Sequence, residues 1–204
     1  MSPNEHSKMA ADRDLLSSYE AASQNNLIDY AKIAAAIEYY KKVGFSYIEV
    51  PWDTPKKHRE ITFRGQDFNP IGEDRFLVGS SEQSFAYLTD IGKLKSGSYV
   101  ACTPCFRGDE IDDIHQQYFM KVELFDTNDT SIRRLHHIIK LAEKFFSTYT
   151  PVRIIETDHN QYDIETTTGI ELGSYGIRSW HGLEWIFATG LAEPRLSKSM
   201  QHYN

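Results

Sequence analysis

Between residues 152 and 191 the chain runs through four short β segments, VRIIET, QYDIETTT, GIELGSYGIR and LEWIFATGL, separated only by polar turns. Connections this short suit antiparallel neighbours, not the long crossovers a parallel sheet needs. Two further strand-like stretches, SYVACTPCFR and QQYFMKVELFDT, lie upstream and read as a hairpin around an acidic loop. In the second of them Tyr118, Met120, Val122 and Leu124 share one face, and Phe119, Lys121, Glu123 and Phe125 share the other. FSYIEV and RFLVGS add two short strands.

Helical signals dominate the earlier part of the chain. Over residues 27–43, Tyr30, Ile33, Ile37 and Tyr40 keep helical spacing, and Gly44 follows where a left-handed C-cap residue belongs. SEQSFAYLTDIGKL reads as a helix opened by a serine cap, and SIRRLHHIIKLAEKFFSTY as an amphipathic helix. Residues 53–75 are charged and contain glycine, and read as a long surface excursion. The sum is an α+β protein with a mainly antiparallel sheet. Residues 1–25 form a polar tail or a loosely docked helix, and 26–204 a single domain, without internal repeats or low-complexity tracts.

Composition narrows the function classes. A net charge of −7 over 204 residues argues against a broad phosphate-neutralising surface, so DNA binding is not expected. No apolar run approaches the roughly 20 residues of a membrane span. The polar start MSPNEHSKMAADRD lacks the apolar core of a signal peptide, and a cytoplasmic protein is the expectation. Cys102 and Cys105, the only cysteines, form a C-x-x-C inside a strand with no second ligand pair downstream, which fits two reduced, semi-buried thiols and not zinc or redox chemistry.

The loop in CFRGDEIDDIHQQYF carries the most chemistry. Arg107 offers a fork that pairs with phosphate through two parallel hydrogen bonds. Asp109 or Glu110 could accept from an exocyclic amine, His115 could meet a second phosphate, and Phe119 supplies a ring for a base to stack on. These side chains together would cradle a nucleotide, and a solvated acidic hairpin tip is the other reading of the same residues.

Three distant segments, in order, resemble the signature motifs of class II aminoacyl-tRNA synthetases. GFSYIEVPW resembles motif 1, FRGDEIDDIHQQYF motif 2, and ATGLAEPR motif 3. LVGSSEQSFAYL, FMKVELF, YDIE and GIELGSYGIR are most similar to segments of seryl-tRNA synthetase, and the likeness covers about residues 27–197. It implies a six- or seven-stranded antiparallel sheet flanked by helices, and ATP-dependent formation of an aminoacyl-adenylate. Carried over by position, Arg107 would contact the α-phosphate and the substrate carboxylate, and His115 the γ-phosphate. Phe119 would stack on adenine, with Arg195 on the opposite face reaching the γ-phosphate. Asp109 would read the adenine amine, and Glu171 would hold Mg2+ with ATP. Glu82 and Glu123 would bind the amino group of the amino acid, and Ser174 would help close the side-chain pocket.

The pattern departs from the family in places. Asp109 stands where glutamate is usual, with Glu110 beside it, and Ala188 and Ala192 stand at glycine positions of motif 3, the latter as in seryl enzymes. Nine residues follow Arg195 in the sequence, and a shortened helix after motif 3 is the expectation. No N-terminal coiled coil or C-terminal anticodon module is expected, and Ser80 and Ser81 stand where zinc-dependent relatives have cysteine, so zinc is not expected.

The leading reading is a stand-alone catalytic core that activates a small, serine-like amino acid for transfer to tRNA, a carrier protein or a small molecule. A non-catalytic paralogue that senses an amino acid or nucleotide is one alternative. An amide-forming ligase similar to ammonia-dependent asparagine synthetase, whose motif 2 the RGDE…H run resembles, is another. Motif 1 implies a homodimer built through the 27–43 helix and the strand after it.

Overall fold

The computed structural model describes residues 28–62, 70–108 and 116–201. The expected N-terminal tail, and Asp109, Glu110 and His115 of the acidic loop, lie outside the described residues. Helix α1, Tyr30–Lys42, is capped by Asp29, whose carboxylate accepts from the Ala31 and Lys32 amides, and Lys41 and Lys42 face the negative end of the helix dipole. Ile33, Ala36 and Tyr40 are buried, but Tyr30, expected in the apolar stripe, is 65% exposed because it opens the first turn. Gly44 takes φ +107° and turns the chain into the sheet.

Strand β1 is only Ser46–Tyr47, shorter than FSYIEV implied, and runs parallel to β4, Ser98–Phe106. After Ile48 donates to the Val100 carbonyl at 3.1 Å, the chain leaves the sheet. It forms β2 (Asp53–Pro55), a short helix α2 (Lys56–Arg59) and, further on, β3 (Arg75–Leu77), which pairs antiparallel with β2. The expectation of a surface excursion over 53–75 fails at its start, because Thr54, His58 and Arg59 are buried. His58 Nε2 bonds the Asp90 carboxylate at 3.0 Å, and its ring packs 5.1 Å from both Tyr87 and Trp180.

Helix α3, Ser81–Asp90, begins at the cap Ser80, whose hydroxyl accepts from the Glu82 amide. Then come β5 (Tyr118–Asp126), the amphipathic α4 (Ile132–Phe146), β6 (Val152–Asp158), β7 (Gln161–Thr166), β8 (Glu171–Trp180), β9 (Leu183–Glu193) and the short α5 (Arg195–Gln201). The main sheet has seven strands in the order β1-β4-β5-β9-β8-β7-β6, and every pair except β1 with β4 is antiparallel. This is the α+β sheet the sequence implied. On the edge strand β6 the pairing with β7 is interrupted by a bulge between Glu156 and Asp158.

The two faces of the sheet are covered unequally. On one, Val122, Leu124, Ile186 and Leu191 join Tyr40 of α1 and Leu135, Ile138 and Phe146 of α4 in the main core. On the other, a smaller cluster of Phe85, Phe125 and Trp185 sits under α3, with Phe85 stacked on Phe125 at 4.8 Å. The rest of that face carries the cavity described below. Cys105 is buried and Cys102 half-buried, and burial pushes each thiol up to about 12.

The central pair β5–β9 shifts register between Val122 and Glu123, which face Leu191 and Thr189 and leave Gly190 as the extra residue of a bulge. Tyr40 Oη donates to the Gly190 carbonyl at 3.1 Å, and Tyr175 Oη to the Thr189 carbonyl at 2.8 Å. A Cβ at Gly190 would sit 2.7 Å from the Tyr40 ring and 3.2 Å from a Val122 methyl. Gly190→Ala is therefore expected to destabilise the fold by about 1–3 kcal/mol through overpacking, read from the midpoint of urea unfolding.

Candidate active site

A cavity of about 170 Å³ opens on the sheet face that α3 leaves uncovered. Its floor comes from alternate residues of β5, namely Phe119, Lys121 and Glu123, with Glu171, Ser174 and Arg178 of β8 and Phe187 and Thr189 of β9 beside them. Arg107 enters from the end of β4, Arg195 from the start of α5, and Ser80 and Glu82 from the start of α3. The structure thus brings Arg107, Phe119, Glu171, Arg195, Glu82, Glu123 and Ser174 to one cavity from five separate stretches of chain.

At one end the Arg107 guanidinium lies over the Phe119 ring, 5.0 Å from its centroid, and its Nε donates to the Gly79 carbonyl at 3.1 Å. Arg59 is buried nearby and donates through Nη2 to the Phe106 carbonyl at 3.0 Å. Burial, and then the charge of Arg107, push its pKa down to about 10. Arg59 thus adds a second guanidinium within electrostatic reach of Arg107 behind this end of the cavity.

Glu171 accepts from Ser174 Oγ at 3.2 Å and from Arg195 Nη1 at 3.3 Å. Asp163 stands opposite Ser174 across the β7–β8 pair. Burial raises its pKa, the Ser174 hydrogen bond opposes this, and the charges of Glu171 and Glu165 raise it further. Asp163 was not singled out from the sequence, although its alternation with the buried Ile164 put it on the side away from the core.

The remaining acids are held from within. Glu123 accepts from Ser80 Oγ (2.6 Å) and Lys121 Nζ (2.8 Å) on one oxygen, and from the Ser81 amide (2.5 Å) and hydroxyl (2.6 Å) on the other. Burial pushes its pKa up, but Lys121 and the two serine hydroxyls outweigh that and leave it lowered. Glu82 takes Arg178 Nη1 on both oxygens, at 2.6 and 2.5 Å, and Trp185 Nε1 at 2.7 Å on one. Burial dominates here, and Arg178 offsets only part of it, so the Glu82 pKa is raised. The Arg178 guanidinium lies 4.4 Å above the Phe187 ring. Lys121 and Arg178 were likewise not assigned from the sequence, though Lys121 alternates with Phe119 and Glu123 on β5.

Removing Arg178 would leave the Glu82 charge buried and without its cation. Arg178→Ala is expected to cost on the order of 3 kcal/mol at pH 7, the low end for a broken buried pair because the arginine is a third exposed. A carboxyl whose folded pKa is raised costs stability as pH climbs above its unfolded value, and the variant raises it further. The loss therefore shrinks as pH falls through the raised folded-state pKa of Glu82 towards the ordinary carboxylate range, and thermal melts across that interval would show it.

No family sequence model matches this chain, and no curated protein matches it. Solved structures do resemble it. Pyrrolysyl-tRNA synthetase PylSc of Desulfitobacterium hafniense superposes with a TM-score of 0.69 at 13% identity, over 97% of this chain and 77% of that one. Seryl-tRNA synthetase of Pyrococcus horikoshii, complexed with ATP, gives 0.69 at 20% identity over 84% of this chain and 49% of that one. Cytoplasmic serine-tRNA ligase of Naegleria fowleri, in complex with AMP, gives 0.68 at 18%, over 83% and 47%. The likeness is as good to the pyrrolysyl as to the seryl structures, and this chain spans about half the length of the seryl ones. The seven-stranded, mostly antiparallel sheet and its flanking helices match the catalytic-domain fold of class II aminoacyl-tRNA synthetases.

Proposed function

We propose that the chain activates a small amino acid, or a close carboxylic-acid analogue, with ATP. A carboxylate oxygen of the substrate forms a bond to the α-phosphorus, the bond from that phosphorus to the bridging oxygen of pyrophosphate breaks, and pyrophosphate leaves with the electron pair. The observation that carries this reading is the convergence of Arg107, Phe119, Arg195 and Glu171 on one cavity. The structural neighbours solved with ATP and with AMP support it.

In this reading Phe119 stacks on the adenine, with Arg195 on its opposite face. Arg107, which rests on the Phe119 ring, passes to the α-phosphate and the attacking carboxylate, where it stabilises charge that develops in the transition state. Little covalent work falls to the protein, and holding the two reactants in line supplies much of the rate. Glu171, which lines the cavity beside Ser174, would hold a Mg2+ ion together with the ATP phosphates, since among the described residues no cluster of three His, Cys, Asp or Glu side chains would hold it without them. When bound, the ion would neutralise charge on the ATP phosphates. The expected roles of Asp109 at the adenine amine and His115 at the γ-phosphate belong to the same proposal, as does transfer to tRNA, a carrier protein or a small molecule. So does a homodimer across α1 and β1, where Tyr30, Tyr47 and Trp52 stay exposed, and sedimentation velocity reads it.

ATP–pyrophosphate exchange with magnesium and a panel of amino acids tests the reading. Arg107→Ala is expected to lower exchange at least about 100-fold, as loss of one transition-state donor does. Phe119→Ala is expected to weaken ATP binding about 5- to 150-fold, from about 1–3 kcal/mol of stacking.

A further inference from the structure

Most of the acceptor positions that an α-ammonium group would seek on Glu82 and Glu123 are already in use. A carboxylate offers about four lone-pair positions. Glu123 fills four with Ser80 Oγ, Lys121 Nζ and the amide and hydroxyl of Ser81. Glu82 fills three with Arg178 Nη1, taken twice, and Trp185 Nε1. An ammonium carries three donors and no acceptor, and beyond the one position left on Glu82 it would have to displace one of these contacts. Donors, by contrast, are in surplus. Lys121 Nζ has three hydrogens and places one on Glu123, and Arg178 commits only Nη1 of its five-donor fork. Both side chains line the cavity, Lys121 beside Phe119 and Arg178 on the Phe187 ring. Glu123 and Glu82 thus hold Lys121 and Arg178 in the wall of the cavity that Arg107 also lines.

We propose that the non-reacting end of the substrate is an anion received by Lys121 and Arg178, which makes the substrate a small dicarboxylic acid. This rests on the adenylating function proposed above. One carboxylate would face Arg107 and the α-phosphate, and the other would take the donors of Lys121 and Arg178, with Ser174 and Thr189 bounding the length of the chain between them. A site furnished with donors rejects an analogue that leaves them without acceptors far more strongly than it rejects a change of one methylene.

The test pairs chemistry with binding. Pyrophosphate exchange is measured with aspartate, succinate and malate against serine, alanine and glycine, and each acid is titrated by calorimetry into the intact chain with ATP and magnesium. The expected result is a preference of at least about 100-fold for the dicarboxylic set. Lys121→Met and Arg178→Lys, the latter keeping a cation for Glu82, should each weaken dicarboxylate binding at least tenfold, with ATP affinity read alongside as the check on folding. Exchange confined to serine, alanine or glycine overturns the inference and leaves the adenylating function standing. Dicarboxylate binding that these variants weaken, without exchange by any acid, supports the inference and sinks the function. Absence of dicarboxylate binding overturns the inference whatever the exchange assay shows.

Discussion

The carboxylate of Glu123 is the fastening on which the rest of the site depends. It lies on the central strand β5 and reaches the first turn of α3, where Ser81 supplies both an amide and a hydroxyl and Ser80 a second hydroxyl. A helix start has unsatisfied amides and a partial positive charge, so a buried anion there is stabilised by groups the fold must provide anyway. Glu82, in the same turn, grips β8 and β9 through Arg178 and Trp185. Two acids thus fix the end of α3 against three strands. The ring cluster of Phe85, Phe125 and Trp185 follows from that docking, and so does the position at which the sheet face stops being covered and becomes a cavity.

Much of this architecture could be read in the amino acids because the informative patterns were local. The strand segments from β6 to β9 are bounded by turn residues, α4 has a continuous apolar stripe, and the spacing of Arg107, Phe119, Glu171 and Arg195 follows a recognisable order. What escaped were features set by contacts distant in the chain. Thr54, His58 and Arg59 look like part of a polar surface stretch, and nothing nearby says that Asp90 and Trp180 will close over His58. Tyr30 fits the helical stripe by spacing, but the Asp29 cap starts the helix just there and turns its first residue outwards. The brevity of β1 depends on where β4 lets it go, which no local pattern records.

The same distinction applies inside the cavity. Glu82 and Glu123 are visible as acids at suggestive positions, whereas their partners, 96 residues away in the case of Arg178, are visible only once β8 lies beside α3. Residue type identifies what can bind a charge. Three-dimensional pairing decides which charges meet, and in this cavity it sets Glu123 against Lys121 and Glu82 against Arg178.

The bulge on β6 has a consequence for the sheet as a whole. A strand at the end of a seven-stranded sheet offers a row of backbone donors and acceptors that another chain could extend, the usual route to fibrillar aggregation. Here the offset between Glu156 and Asp158 breaks the regular spacing of that row, and Arg153, Glu156 and Asp158 place charge along it. An incoming strand would meet a mismatched ladder and ions to desolvate, so the sheet is protected against growing beyond its seventh strand.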